Sequence, residues 1–503
     1  MIPSIELVNS LKTLVVDNLP FAAMGAQCDI WRSTRQDKEV DYFLQKYRQM
    51  NATAVGFGIP WSKIEIEKDD YDFSFIDWFL ERTEYVGLKL VLMLFNSNVC
   101  GTCQVTSDGV VYPRFTADYI LENPEMYTQI LLNTNTEYDH GGPPMCPNDP
   151  DTLDRESLYV ERLASYLKKR DVNRTTIMLQ INNEYFYQRW LKPSDNRRQD
   201  VRCICKYCRK KYSPGRFKSG EEFMYRSFAE YTAVLSTKIK EIYPLPLYVN
   251  SPWWRPYIIE IFLETCPDID FVGIDGISDP NEPNQLTVGQ VSRNIPFAAE
   301  CPTEAPTTKP FLTALPYYTL LKVHSFGMFL WEAPEPNTLV YDDEALLRFS
   351  NALYPIKNAI VPLIETRGSD RLLVWYSQSI EATVNYRIDI LGNLVELDES
   401  QSLENQGTRV VRGADVRIVK DGEFVLPFLD TRLKIRGSQA GFIIVESEGG
   451  FVLGTPGAEI DFIDRDPRII ESGVYHSRRW KKMDEFAVRD GHASLSGLFY
   501  IRY

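Results

Sequence analysis

The fold class this sequence predicts is α/β: a TIM (β/α)8 barrel with insertions after strands three and four, then an all-β, sandwich-like domain. Three observations lead there. Eight apolar runs of strand length recur along the first two-thirds of the chain, most of them separated by amphipathic helical segments. Carboxylates close several of these runs, at the rim where barrel enzymes keep their chemistry. From about residue 367 helical periodicity gives way to alternating or wholly apolar runs between Gly, Asp and Asn turns.

Residues 21–28 are the first strand candidate, and the helix after it, 38–49, carries Val40, Phe43, Leu44 and Tyr47 on one face. Strand two, 53–60, runs into Trp61, and its helix contains Phe75, Ile76, Trp78, Phe79 and Leu80. Strand three is 88–95; a long insertion and a helix at about 154–169 lead to strand four, 176–180. A second insertion and a helix at about 221–242 precede strand five, 245–250. Strands six, seven and eight are 269–275, 294–299 and 325–332, and the link 276–293 shows little helical periodicity. In the tail, 372–376, 410–419 and 441–445 read as strands. The expected division is a barrel over 1–365, with insertions at about 96–153 and 186–220, and a β-rich domain over 366–503.

Strand four ends in Ile181-Asn182-Asn183-Glu184-Tyr185. A rim carboxylate preceded by an amide suits a general acid beside a group that hydrogen-bonds a substrate hydroxyl. Glu300 closes strand seven, and two facing carboxyls are what cleavage of a glycosidic bond requires. Glu332 also ends a strand and competes for the second role.

Composition narrows the partners. At 503 residues the chain exceeds one ordinary core. The 13% aromatic fraction supplies rings that can stack on sugars, though core packing accounts for most of them. A formal charge of -14 argues against nucleic acid and anionic membrane as partners. The first residues lack a basic and apolar leader pattern and no stretch is long enough to span a bilayer, so a cytoplasmic protein is expected. The sequons at Asn51 and Asn173 stand just before barrel strands and read as chance occurrences. Nine cysteines, five of them in short motifs, suit metal binding better than a disulfide framework.

Two stretches carry a family resemblance. The segment Ile59-Pro60-Trp61-Ser62-Lys63-Ile64-Glu65, followed by Tyr71-Asp72-Phe73, resembles the strand-two region of clan A glycoside hydrolases, especially family 42 and family 35 β-galactosidases. Leu179-Gln180-Ile181-Asn182-Asn183-Glu184-Tyr185 is similar to their acid/base motif. Cys203-Ile204-Cys205-Lys206-Tyr207-Cys208 resembles the zinc-binding cluster of family 42, and Cys146 stands where its remaining ligand is expected. The resemblance covers roughly 20–360; the tail, from Ile470 through Trp480 to Glu485, is similar to a β-rich module that follows some family 35-type barrels.

The resemblance implies an exo-acting retaining β-galactosidase with Glu184 as acid/base and Glu300 as nucleophile, their carboxyls about 5 Å apart. It makes Glu332 a sugar-binding residue at the end of strand eight, although Trp331-Glu332-Ala333-Pro334 departs from the family pattern. Arg32 and Asn183 are expected to bind hydroxyls, Trp331 to stack under the ring, Trp253 and Trp254 to line the leaving-group side, and Asp275 to add a polar contact. Arg32 can equally pair with an acid, and the tryptophans can serve as core. Cys146, Cys203, Cys205 and Cys208 supply four thiolates for a structural zinc, whereas Cys100 and Cys103 stay unassigned. No organic cofactor is expected, and a homotrimer is implied by family analogy. Two alternatives stand: a β-mannosidase or β-fucosidase using the same carboxylates, and a non-catalytic carbohydrate-binding barrel.

Overall fold

The computed structural model describes residues 1–28, 37–97, 114–133, 143–183, 201–251, 256–275, 294, 297–301, 309–322, 324–332, 342–376, 386–388, 394–396, 408–412, 415–419, 423–426, 431–436, 440–446, 449–464, 466–486 and 491–503. Eight strands close into a parallel barrel. They are β1 (Ala23–Cys28), β2 (Ala54–Pro60), β3 (Lys89–Phe95), β4 (Thr176–Gln180), β5 (Leu247–Ser251), β6 (Phe271–Asp275), β7 (Ala298–Cys301) and β8 (Gly327–Glu332). The helices among them are α1 (Asp37–Gln49), α2 (Ser74–Val86), α3 (Pro150–Arg170), α4 (Gly220–Ile242), α5 (Pro256–Thr265), α6 (Lys309–Tyr317), α7 (Asp343–Asn358) and α8 (Ile360–Thr366). Closure pairs β8 with β1, from Gly327 on Ala23 to Glu332 on Cys28. Gly327 sits at φ +149, and a Cβ there would lie 2.0 Å from the Ala23 carbonyl oxygen, so the seam needs a glycine.

Every barrel strand lies where the sequence predicts one, because strands buried on both faces read as unbroken apolar runs. Strand seven is the instructive exception in its start, at Ala298 instead of residue 294. Asn294 is spent otherwise: its side chain accepts from Val272 N (2.8 Å) and donates to Val272 O (3.1 Å), pairing with β6 as a backbone would. Helix α3 starts earlier than expected, at Pro150, where Asp149 caps the Asp151 amide and a proline opens the first turn.

Inside the barrel, Val91, Met178, Tyr248, Phe271, Phe297 and Phe329 form one apolar cluster, with Tyr248 and Phe271 stacked at 5.0 Å. Leu14 and Val16 join it from below. They belong to an N-terminal antiparallel sheet, Ser4–Val8, Leu11–Val16 and Leu19–Phe21, that the sequence reading did not foresee. Its two turns place Asn9 and Ser10, then Asp17 and Asn18, at positive φ, the geometry of two-residue hairpins.

Beyond α8 the chain is all β. One ten-stranded antiparallel sheet runs through Leu372–Tyr376, Ala440–Val445, Gly450–Phe462 and His492–Arg502 at its centre. The expected run 410–419 is instead two antiparallel strands, Thr408–Arg412 and Asp415–Val419, with Gly413 between them in sequence. Alternation along the central strands divides their side chains. Leu372, Val374, Phe442 and Ile444 join the core formed with the barrel helices, while Leu373, Trp375, Ile443 and Phe499 build a second core on the other face. Among the described residues, no helix is long and apolar enough to cross a membrane.

Candidate active site and cysteine centre

Above the aromatic layer the barrel interior turns polar. Gln27, Gln180, Asn182, Asn183 and Asn250 are all buried at or near the C-terminal ends of β1, β4 and β5. Asn183 O δ1 accepts from Gln180 Nε2 at 2.8 Å and from Asn250 Nδ2 at 3.4 Å, and the Asn183 amide N–H is held by Asn182 Oδ1 at 2.9 Å. With its oxygen engaged twice, Asn183 keeps its two Nδ2 hydrogens for other partners. Gln180 and Asn250 are site residues that the sequence reading passed over. Gln180 was legible by its position, near the end of an apolar strand where a polar side chain is costly to bury without a partner.

The other expected residues divide into two groups. Glu184, Arg32, Trp253, Trp254, Cys100 and Cys103 lie outside the described residues. Asp275, Glu300, Trp331 and Glu332 are placed along the rim by their backbone: Asp275 pairs with Glu300 across β6 and β7, and Trp331 and Glu332 pair with Gln27 and Cys28 across β8 and β1. Register shifts occur between Ile274 and Asp275 and between Ala298 and Cys301, irregularities of the kind that re-aim residues beside active sites.

The strand-two segment ends in a buried ionic cluster. Glu65 is fully buried and accepts from Trp61 Nε1 (2.8 Å), Asp69 N (3.0 Å), Tyr119 OH (3.1 Å) and the Arg155 guanidinium. Burial lowers the pKa of Arg155, but its bonds to Tyr119 and Asp69 win and hold it above the ordinary value. This carboxylate therefore clamps the loop after β2 to α3, a positioning role with every oxygen satisfied.

The four cysteines expected to act together do meet. All their sulfurs lie within 4.8 Å of one another, and Cys146 Sγ is 3.4, 3.5 and 3.9 Å from those of Cys208, Cys205 and Cys203. Four thiolates about 2.3 Å from a tetrahedral zinc stand about 3.8 Å apart, so the donor set and spacing fit that ion. Local structure brings them in. Leu132 bridges to Cys203, Cys146 N donates to Thr128 O, and Cys205 caps the short helix Lys206–Lys211. Each sulfur also accepts one N–H: Cys203 from Leu131 N (3.4 Å), Cys146 from Asn148 N (3.4 Å), Cys205 from Cys208 N (3.5 Å) and Cys208 from Asn148 Nδ2 (3.2 Å). Within this shared network the Cys205 and Cys203 thiols are pulled below their ordinary range and those of Cys146 and Cys208 are pushed above it, as sulfurs packed this closely cannot all ionise without a cation between them.

No protein-family model matches the sequence, and no curated protein matches it. Solved structures similar to it include the exo-beta-1,4-mannosidase Op5Man5 from Opitutaceae bacterium strain TAV5, at TM-score 0.43 and 14% identity over 67% of this chain. A GH30 endoxylanase from Clostridium papyrosolvens C71 is similar at TM-score 0.49 and 11% identity, covering 96% of this chain and 97% of that one. A polyextremophilic beta-galactosidase from the Antarctic haloarchaeon Halorubrum lacusprofundi is similar at TM-score 0.49 and 14% identity over 67% of this chain. The chain spans 60% of the length of the mannosidase and 58% of that of the galactosidase.

Proposed function

We propose that this protein is a retaining, exo-acting β-glycosidase that hydrolyses terminal β-D-galactosides, with Glu184 as acid/base and Glu300 as nucleophile. The observation that carries the reading is the fixed amide of Asn183 at the rim of β4, immediately before Glu184 in the chain. Asn183 would donate to a sugar hydroxyl there. Glu300 lies in β7, three strands round the same rim.

In the first step the Glu300 carboxylate attacks the anomeric carbon while Glu184 gives its proton to the leaving oxygen. A covalent glycosyl-enzyme results. In the second, Glu184 takes a proton from water, the hydroxide adds to the anomeric carbon, and Glu300 departs as a carboxylate. Two inversions give net retention. Zinc at Cys146, Cys203, Cys205 and Cys208 would brace the two insertions; a metal held by four thiolates keeps no open position for substrate.

Sugar choice is the finer part of the reading and rests on the family resemblance. A panel of nitrophenyl glycosides tests it: the β-D-galactoside is expected to be cleaved at least about ten times more efficiently than its gluco and manno epimers, a difference of only about 1.4 kcal/mol in the transition state. A preference for the manno or fuco compound would reassign the sugar and leave the carboxylate roles standing. Cleavage of no β-glycoside would leave a carbohydrate-binding barrel.

A further inference from the structure

Glu156, in the second turn of α3, is fully buried and has no place in the chemistry above. Its Oε2 accepts from Ser97 Oγ and from Tyr231 OH (2.6 Å), and those two hydroxyls are 3.0 Å apart. Three elements that are distant in sequence thus meet on one oxygen: α3, α4 through Tyr231, and the segment after β3 through Ser97.

The two residues after β3, Asn96 and Ser97, hold their neighbours through further bonds. Asn96 Nδ2 donates to Ile181 O at 2.9 Å, at the end of β4 and two residues before Asn183. Ser97 O accepts from Met145 N at 2.9 Å, adjacent to Cys146 of the cysteine centre. We propose that Glu156 is a positioning residue for the catalytic rim, fixing the Asn96–Ser97 corner so that Asn96 holds Ile181, and with it Asn182 and Asn183, in register. The kinetic part of this proposal rests on the glycosidase reading; the structural part does not.

The protonation state follows from who faces whom. Glu156 Oε1 is buried and has no hydrogen-bond partner among the described residues. A buried carboxylate oxygen without a donor is costly, and a proton on the carboxyl removes that charge. Burial raises the Glu156 pKa and outweighs the opposing hydrogen bonds from Ser97, Tyr231 and Asn96. Glutamine, with one acceptor oxygen and one donor nitrogen, reproduces the protonated group.

The test compares Glu156→Gln, Glu156→Ala and Asn96→Ala in the full-length protein with two readouts. Hydrogen–deuterium exchange of the peptide spanning residues 177–186 is expected to quicken at least about tenfold in Glu156→Ala and Asn96→Ala, to stay at the wild-type rate in Glu156→Gln, and to be unchanged over residues 440–446 in all three. For kinetics, the two alanine variants are expected to lose at least about tenfold in kcat/KM on alkyl galactosides, which need the acid, and under threefold on dinitrophenyl galactosides, which do not. Rim exchange unaltered by either alanine variant would overturn the proposal, as would equal losses on both leaving-group classes. If the wild type cleaved neither substrate the glycosidase reading would fail, and the exchange measurement alone would decide whether Glu156 positions the rim.

Discussion

Around β3 and β4 the barrel rim is held by side-chain hydrogen bonds, whereas around β6, β7 and β8 it is shaped by the strands' own register. On the first arc, Asn96 holds Ile181, Gln180 and Asn250 hold Asn183, and the cysteine centre anchors the insertions above. The one register shift there, between Leu90 and Val91, falls at the N-terminal end of β3, away from the rim. On the second arc two shifts fall next to Asp275 and Glu300. The difference suits two roles. An acid that must exchange protons in both half-reactions benefits from a fixed pKa and a fixed neighbour, while a nucleophile must above all be aimed at one carbon.

The largest effect tests that division of labour. Glu300→Ala is expected to lower turnover by about 10^4-fold and to recover with azide, giving product of inverted configuration. Glu184→Ala should spare activated aryl galactosides and respond to azide with retained configuration. Chiral analysis of the azide products checks both, and rescue at Glu332 in place of Glu300 would move the nucleophile to β8.

Next in size is the metal. Protein purified without added metal is expected to carry about one zinc per chain by elemental analysis, and Cys205→Ser to lose it together with many degrees of thermal stability. Normal stability without metal would reduce the first arc's anchor to protein contacts alone. Asn250→Ala removes one of the two bonds to Asn183 Oδ1, a loss of about 1 kcal/mol. That corresponds to a fall of roughly five- to tenfold in kcat/KM, with the melting temperature nearly unchanged, measurable by steady-state kinetics and calorimetry.

The smallest effect concerns pH. A carboxyl whose folded pKa is raised binds more protons when folded than when unfolded, so stability is greatest below the unfolded value and falls as pH rises above it. For Glu156 that decline begins near its ordinary value of 4.5. Urea unfolding at a series of pH values should show a flatter profile in Glu156→Gln than in wild type above that point; identical profiles would mean that Glu156 does not hold the proton.

How much of this was legible in advance depends on where each signal resides. Barrel strands announce themselves because each carries its apolar run within a few consecutive residues. Cys203, Cys205 and Cys208 are legible through close spacing, with Cys146 added by family resemblance. Glu156 is not, since in sequence it is one more charged residue on an amphipathic helix, and its burial is decided by Ser97 and Tyr231, 59 and 75 residues away. The N-terminal sheet escaped for another reason: Ser4–Val8 is half-buried to exposed throughout and Leu11–Val16 is buried along most of its length, so neither strand alternates cleanly.

That sheet also sets a timetable for the ribosome. Thr13 reaches the guanidinium of Arg367 across 354 positions, and β1 finds its second neighbour only in β8. At translation rates of roughly 5 to 20 residues per second, on the order of 20 to 70 s separate the synthesis of the two ends of that contact. Through most of the interval Leu14 and Val16 lack part of their cluster, from Phe271, Phe297, Phe326 and Phe329, and one edge of β1 lacks its partner, leaving an incomplete apolar plug and an open strand edge in a nascent chain. An open edge of this kind invites pairing with another chain until the ring closes, and a truncation that stops short of Gly327 lacks the strand that closes it.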